Sequence, residues 1–162
     1  LPLPIKHSSL WLRPAAGYGW GDRDNTLSNF YFGAFGNNYV DHLEVRRYQE
    51  YYSFPGLEIN ELEGNNFGKL MLEWELPPLR FKRAGWPEFY FTWASPAIFG
   101  SAIVTDMDDD QLRRELYNIG AQIDLKLVVF TNLSTTLSFG YARAYESGRP
   151  SANEFMISLK IL

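Results

Sequence analysis

The stretch YNIGAQIDLKLVV, residues 117–129, decides the fold because its side chains alternate between apolar and polar. Its odd-numbered positions are all apolar, whereas its even-numbered positions include Asn118, Gln122, Asp124 and Lys126. A period of two kept over this length predicts a long β-strand with one apolar and one polar face. Shifting the register by one residue would exchange the two faces, so the pattern determines the orientation of the strand.

Further segments with apolar alternation or aromatic, β-branched content are also predicted to be strands. They cover residues 7–20, 26–35, 69–76, 89–99, 136–142 and 155–161. Their connections alternate in length: residues 21–25 and 131–134 are short, whereas residues 36–66, 101–116 and 146–153 are longer and residues 77–88 are intermediate. The sequence therefore predicts an antiparallel up-and-down sheet of about seven strands with its long loops at one end.

Composition excludes several classes of protein. The chain has 162 residues, a net charge of -4 and no cysteine. An acidic balance gives no basic surface for nucleic acid, and the lack of cysteine excludes disulfides, thiolate metal sites and Cys nucleophiles. The opening LPLPIK has neither an initiating Met nor a signal-peptide pattern, so we expect a processed product or part of a longer chain.

No catalytic motif or metal-binding pattern is complete in the sequence. Asp106, Asp108 and Asp110 have the spacing of calcium ligands, but Gln111 stands where an EF-hand requires Gly and Tyr117 where it requires Glu. Serine-hydrolase, zinc-protease and phosphate-binding motifs are absent. We therefore predict a protein that is not an enzyme and that has no metal and no cofactor.

Three features favour a membrane-spanning β-barrel over a soluble β-domain. The predicted strands reach the ~9 to 11 residues that cross a bilayer. Aromatic residues lie near predicted strand ends, as in membrane-interface girdles; they are Trp20, Trp74, Tyr117 and Tyr141. The last residues also lie within an apolar-alternating strand. A soluble β-barrel that binds a small ligand in its interior remains an alternative.

The segment YFGAFGNNYVDHLEVRRYQEYYSFPGLEINELEGNNFGKLMLEWELPPLRF, residues 31–81, carries a resemblance to a known family. It resembles the bacterial surface antigen family, within the BamA/TamA-type outer-membrane assembly superfamily. The family's V-R-G-[FY] loop motif corresponds here to Val45, Arg46, Arg47 and Tyr48, and its L-E-x-x-x-P strand motif to residues 72–77. Arg47 stands where the family has Gly.

The resemblance implies an all-β fold, an antiparallel up-and-down transmembrane β-barrel in the bacterial outer membrane. Residues 1–162 would then be the C-terminal part of one barrel domain of about 16 strands, an even number as is usual. In the family, the long loop, here residues 36–66, is extracellular and folds back into the lumen. Arg46 would there meet the inward carboxylates of Glu73, Glu75 and Asp124.

The final strand is similar to the C-terminal signal by which such barrels are recognised for insertion. Its outward row consists of Phe155, Ile157, Leu159 and Ile161. An odd number of strands would leave two open edges that lipid cannot satisfy, so we expect upstream strands beyond this sequence.

The function implied by the resemblance is outer-membrane protein assembly or polypeptide translocation. The expected partners are outer-membrane lipid, unfolded or secreted polypeptides, and periplasmic domains upstream in the same chain. Two alternatives are an anchor or receptor for an upstream periplasmic or surface domain, and the soluble ligand-binding barrel.

Overall fold

The chain folds into antiparallel β-strands joined by turns and loops in a computed structural model, which describes residues 7–20, 28–36, 51–86, 88–130 and 133–161. Among these residues, no helix is long and apolar enough to cross a membrane. The prediction of an all-β, antiparallel fold is therefore confirmed. The strands are β1 Ser9–Tyr18, β2 Phe30–Phe32, β3 Leu62–Gly64, β4 Asn66–Glu75, β5 Leu79–Trp86, β6 Phe89–Thr105, β7 Arg114–Val129, β8 Leu133–Glu146 and β9 Ala152–Ile161.

Seven of these strands form one open antiparallel sheet. Its order is β1-β4-β6-β7-β8-β9, and β5 also pairs with β6. The longest pairing joins β6 to β7, from Phe89 opposite Val129 to Thr105 opposite Arg114. Within the described residues, β1 and β9 are the two ends of this order, and β5 is paired on one side only. A separate two-stranded sheet pairs β2 with β3.

Connections between successive strands of the main sheet alternate in length. The sequence predicts this alternation from residue 101 onward, although β6 and β7 extend into the predicted loop at residues 101–116. Residues 87–88 join β5 to β6 and residues 130–132 join β7 to β8, both at one end of the sheet. We call this the turn end. Residues 19–65, 106–113 and 147–151 connect strands at the opposite end, which we call the loop end. This arrangement follows from the antiparallel pairing of successive strands.

The predicted connection at residues 77–88 is wrong, because most of it is strand β5. Pro77 and Pro78 lack the backbone N–H that a sheet ladder needs and interrupt the strand there. The chain then resumes its direction, and β5 pairs with the turn-end half of β6 while β4 pairs with the loop-end half. Together, β4 and β5 cross the sheet as one interrupted strand.

The predicted second strand of the main sheet, residues 26–35, is also wrong. Among its described residues, 28–35, only Phe30–Phe32 form a strand, and their partner is Leu62–Gly64. The neighbour of β1 is instead β4, with Ser9 opposite Glu75 and Tyr18 opposite Asn66. The rings of Phe30 and Phe32 pack on the ring of Phe67, at 5.0 and 4.7 Å between centroids, which holds β2 over the sheet rather than in it. The predicted turn at residues 21–25 lies outside the described residues.

The main sheet buries the polar side chains of one face and exposes the apolar side chains of the other. One face, which we call the covered face, buries polar and charged side chains. Examples are Glu73 at 0% exposure, Asp124 at 2% and Lys69 at 6%. The other, which we call the bare face, exposes large apolar side chains, such as Leu72 and Ile157.

The bare face is apolar over most of the sheet, with Arg143 and Asn153 as polar exceptions toward the loop end. Exposed members from five strands are Leu12, Leu70, Leu72, Ile98, Ile119, Ile157, Leu159 and Ile161. Leu127 and its direct partner Thr135, near the turn end, are buried exceptions. We call the rows of the bare face between Tyr117 and Leu127 of β7 the apolar band.

Two of the aromatic residues predicted near strand ends do not lie at the margins of the sheet. Trp74 is opposite Ile98, and Tyr141 is opposite Ala121, which places both in the middle of the apolar band. Trp74 is the next-to-last residue of β4, but β5 continues the crossing of the sheet, and β8 extends past Tyr141 to Glu146, so neither residue lies at a margin of the sheet. Tyr117 does lie at the loop end, where its ring stacks on the ring of Tyr145 at 5.1 Å between centroids.

Candidate functional site

The covered face is the candidate site, because a folded-back part of the chain packs on it. This part, which we call the cover, consists of the described residues 28–36 and 51–65. A buried cluster joins the cover to β4, β6, β7 and β8. Its cover members are Phe32, Phe54, Leu57 and Leu62, and its sheet members are Phe67, Ile103, Leu116 and Ala144.

A second buried cluster forms around Phe35 of the cover, nearer the turn end. Its sheet members are Met71, Ala97, Phe99, Ala142 and Met156. The ring of Phe35 meets that of Phe99 edge to face, at 5.8 Å between centroids. It lies so close to Gly140 that a Cβ there would be 2.8 Å from the ring. The absence of a side chain at Gly140 therefore makes the space that Phe35 fills.

Polar side chains of the sheet bind backbone carbonyls of the cover. Lys69 of β4 donates from Nζ to the carbonyl oxygens of Ser53 and, at 3.1 Å, of Tyr51. Asn118 of β7 donates from Nδ2 to the carbonyl oxygen of Pro55, at 2.8 Å. These bonds satisfy carbonyls that the cover would otherwise bury without a partner.

Glu154 ties the edge strand β9 to the cover. Its carboxylate accepts the backbone N–H of Phe35 at 3.1 Å and that of Gly56 at 3.0 Å, one on each oxygen. Hydrogen bonds to a charged acceptor are stronger than those to a neutral one. One side chain thus connects two separate parts of the cover to an edge of the sheet.

Gly56 brings the backbone of the cover close to the sheet. Its φ is +102°, a conformation that side chains with a Cβ rarely adopt. A Cβ at this position would lie 2.6 Å from the backbone nitrogen of Ala144 in β8. The position therefore requires glycine for both conformation and space.

The predicted acidic residues all lie on the covered face, and each has its own local partner. Glu73 accepts a hydrogen bond from Nε of Arg13 at 3.2 Å and forms an ion pair with it. Glu75 accepts the hydroxyl of Ser9 at 2.7 Å. Asp124 accepts from Nε2 of Gln122 at 2.7 Å. The predicted loop motif, Val45, Arg46, Arg47 and Tyr48, lies outside the described residues.

An ion pair closes the loop end of the site, beyond the apolar band. Arg114 donates from Nε and Nη2 to the two carboxylate oxygens of Glu146, both at 2.8 Å. These bonds hold the pKa of Glu146 below its usual range, against the opposing effect of burial. Arg114 also donates to the carbonyl oxygen of Glu61 in the cover, at 3.4 Å.

The described residues contain no group of three or more His, Cys, Asp or Glu side chains placed to hold a metal ion. Asp106 instead accepts the backbone N–H of Asn65, and Asp108 the side-chain amide of Asn66. These two carboxylates therefore join the loop at residues 106–113 to the strand that follows the cover.

Several residues of the site have no distinctive signal in the sequence. Lys69, Asn118 and Glu154 occupy polar positions of alternating strands, but their partners are 16 to 119 residues away along the chain. From the sequence, the alternation of each strand shows only that these side chains lie on the face opposite the apolar row. The residues predicted as an insertion signal, from Phe155 to Ile161 in alternate positions, lie on the bare face of β9 and are exposed.

No family model, no curated protein and no solved structure matches this chain. The buried polar face, the exposed apolar face and the cover are thus the features that bear on function.

Proposed function

We propose that the chain is part of the wall of a transmembrane β-barrel in a bacterial outer membrane, with the cover inside its lumen. The observation that carries this proposal is the inverted distribution of polarity. A sheet in water buries its apolar face and exposes its polar one, whereas this sheet does the reverse. Exposed apolar areas far larger than those of ordinary soluble monomers mark contact with lipid or protein.

The height of the apolar band agrees with a bilayer. The band runs from Tyr117 to Leu127 of β7, a distance of ten residues. At about 3.4 Å per residue and a tilt of about 40°, this length spans about 26 Å across the membrane. The apolar band of outer-membrane barrels is about 25 Å tall.

Aromatic residues lie at both margins of the band, as the interface between lipid and water favours. Tyr117 and its stacking partner Tyr145 are at the loop end. Trp86 and Phe130, exposed at 78% and 74%, are at the turn end. In outer-membrane barrels the short turns face the periplasm and the long loops face outward. The loop end would therefore be extracellular.

Within this class we propose a role without chemistry in outer-membrane protein assembly or polypeptide translocation. The family resemblance of residues 31–81 supports this role, and the cover supports it further. If the covered face lines the lumen of a barrel, the cover would occupy that lumen as a long loop folded back inside. Outer-membrane lipid and extended polypeptides would be the partners.

An anchor or receptor is the second candidate, and the packing of the cover favours it. Two buried clusters and bonds from Lys69, Asn118 and Glu154 attach the cover to β4, β7 and β9. So firm an attachment suits a barrel whose lumen stays closed. The soluble ligand-binding alternative has no support in the exposed apolar face.

The first experiment asks whether the protein is a membrane barrel. The full chain, with any natural upstream sequence, is expressed with an outer-membrane targeting signal, and its gel mobility is compared with and without boiling. A barrel resists unfolding in mild detergent and migrates differently after heating. Partition into the aqueous phase, with mobility unaffected by heat, would contradict the proposal.

The second experiment separates translocation or assembly from anchoring. The chain has no native cysteine, so Pro55→Cys together with Asn118→Cys allows the cover to be cross-linked to the sheet. Locking the cover should abolish export or assembly of a client polypeptide in reconstituted vesicles if the lumen must open. Unchanged client handling would favour the anchor. Each single-cysteine variant treated with the same reagent is the control.

A further inference from the structure

One charged side chain interrupts the apolar band. Among the described outward side chains of β1, β4 and β6 to β9, Arg143 is the only charged one between the rows of Tyr117 and Leu127. Placing a cation on a lipid-facing surface has a free-energy cost that decreases toward the interface. Arg143 therefore needs a partner that compensates for this placement.

The contacts of Arg143 direct its guanidinium toward the loop end. Nε donates to the hydroxyl of Ser151 at 3.0 Å, and Nη2 donates to the same oxygen. The guanidinium carbon also lies over the ring of Tyr145, 5.4 Å from its centroid. No carboxylate of the described residues pairs with it.

The position of Arg143 along its strand matches the depth of lipid headgroups. It lies two residues before Tyr145, about 7 Å along the strand. Its long side chain rises through this distance to the level of the Tyr117–Tyr145 stack, as basic side chains do at membrane interfaces. A guanidinium at this depth reaches the layer that contains phosphates.

A second polar group stands beside Arg143. Asn153 of β9 is its direct cross-strand partner and is exposed on the same face. Directly opposed side chains have Cβ atoms about 5 Å apart. An arginine and an amide so placed can both donate to one phosphate, since a guanidinium has five donors and Ser151 takes only two of them.

We propose that Arg143, with Asn153 beside it, binds the phosphate of an anionic lipid headgroup at the loop-end margin of the apolar band. This inference rests on the proposed membrane location. Charge complementarity identifies the occupant: an uncompensated cation on an apolar face takes an anion whose acyl chains can lie along that face. The flanking Tyr117 and Tyr141 would then contact the upper part of these chains.

Lipid selectivity tests the proposal. The full chain in detergent is titrated with phosphatidylglycerol or phosphatidylcholine, and bound lipid is counted by native mass spectrometry. A cation near an anionic headgroup is worth about 1 kcal/mol, so the wild type should prefer phosphatidylglycerol about fivefold. Arg143→Leu should lose that preference, and Arg143→Lys should keep only part of it.

Arg149→Leu is the matched control. Arg149 is an exposed cation in the loop that follows β8, and it is already paired with Glu146 at 3.3 Å. Its removal should therefore leave the lipid preference unchanged. Equal preference in the wild type and in Arg143→Leu would overturn the proposal. So would inorganic phosphate that competes as well as the lipid, because the site would then bind free phosphate.

The outcome also distinguishes this inference from the proposed function. A chain that inserts in vesicles and shows heat-modifiable mobility, but has no preference for phosphatidylglycerol, overturns the lipid site alone. A chain that does not insert overturns both.

Discussion

Single residues of this sheet are best understood by the face on which they lie. Leu125 and Asp124 are neighbours in β7, yet Asp124 is 2% exposed on the covered face and Leu125 lies on the bare face. In water this arrangement would be unfavourable, because a carboxylate loses hydration while apolar surface stays exposed. In a membrane barrel both environments are reversed, and both residues suit their positions.

Leu125→Arg measures the environment of the bare face directly. If lipid contacts this face, the substitution should destabilise the protein in bilayers by ~2 to 4 kcal/mol. Leu112→Arg, in the exposed loop at residues 106–113, should stay within about 0.5 kcal/mol. Urea unfolding in phospholipid vesicles gives both values. Wild-type stability of Leu125→Arg would rule out lipid at this position.

Glu154→Gln tests the bond between β9 and the cover. An amide has one acceptor oxygen, so either Phe35 or Gly56 loses the acceptor of its backbone N–H. A buried N–H without a partner costs about 1–3 kcal/mol. Hydrogen exchange of the Phe35 and Gly56 amides should therefore become faster. Asn153→Gln, on the opposite face of β9, should leave both rates unchanged; equal rates in Glu154→Gln would refute the role.

At the scale of elements, the β-propensity of its residues does not by itself explain why the cover is ordered. Its strands β2 and β3 have only three residues each, too short to be stable by themselves. They persist because Phe32 and Leu62, both fully buried, belong to the cluster that packs on β4, β6 and β7. The cover is thus stabilised by the sheet rather than by its own ladder.

Gly56→Ala tests how closely the cover must approach the sheet. Gly148 is the matched control, because its φ is also positive, at +79°, but a Cβ there has no atom within 4 Å. Gly148→Ala should cost roughly 1–2 kcal/mol from backbone strain alone. Gly56→Ala should cost about 1–3 kcal/mol more, since the Cβ meets the backbone of Ala144. Thermal unfolding measures both; equal losses would contradict close packing at Gly56.

At the scale of the whole molecule, the sheet has the cover on one side and the apolar band on the other. The proposed barrel requires the interior loop to support the wall, and the resemblance assigns that support to Arg46. The carboxylates that Arg46 would meet, Glu73 and Asp124, are both nearly inaccessible on the covered face. Arg13 and Gln122 already contact them.

If Arg46 lies in the lumen as the resemblance implies, Arg46→Ala is expected to loosen residues 36–66 and to lower the heat resistance of the barrel. Limited proteolysis of this loop should be faster, and the transition in gel mobility should occur at a lower temperature. Arg113→Ala, an exposed cation of another loop, is the control. Proteolysis of residues 36–66 at the wild-type rate would exclude a luminal role for Arg46.

Alternation in the sequence determined most strands of the main sheet and their two faces, because a period of two is a local property of each strand. β4, β6, β7, β8 and β9 follow from it, and so does the side on which Asp124 lies. Tertiary structure decided the rest: the pairing of β1 with β4, the continuation of β4 by β5, and the attachment of the cover through Glu154. These depend on contacts between distant parts of the chain, and local pattern carries no information about which of two compatible partners a segment will meet.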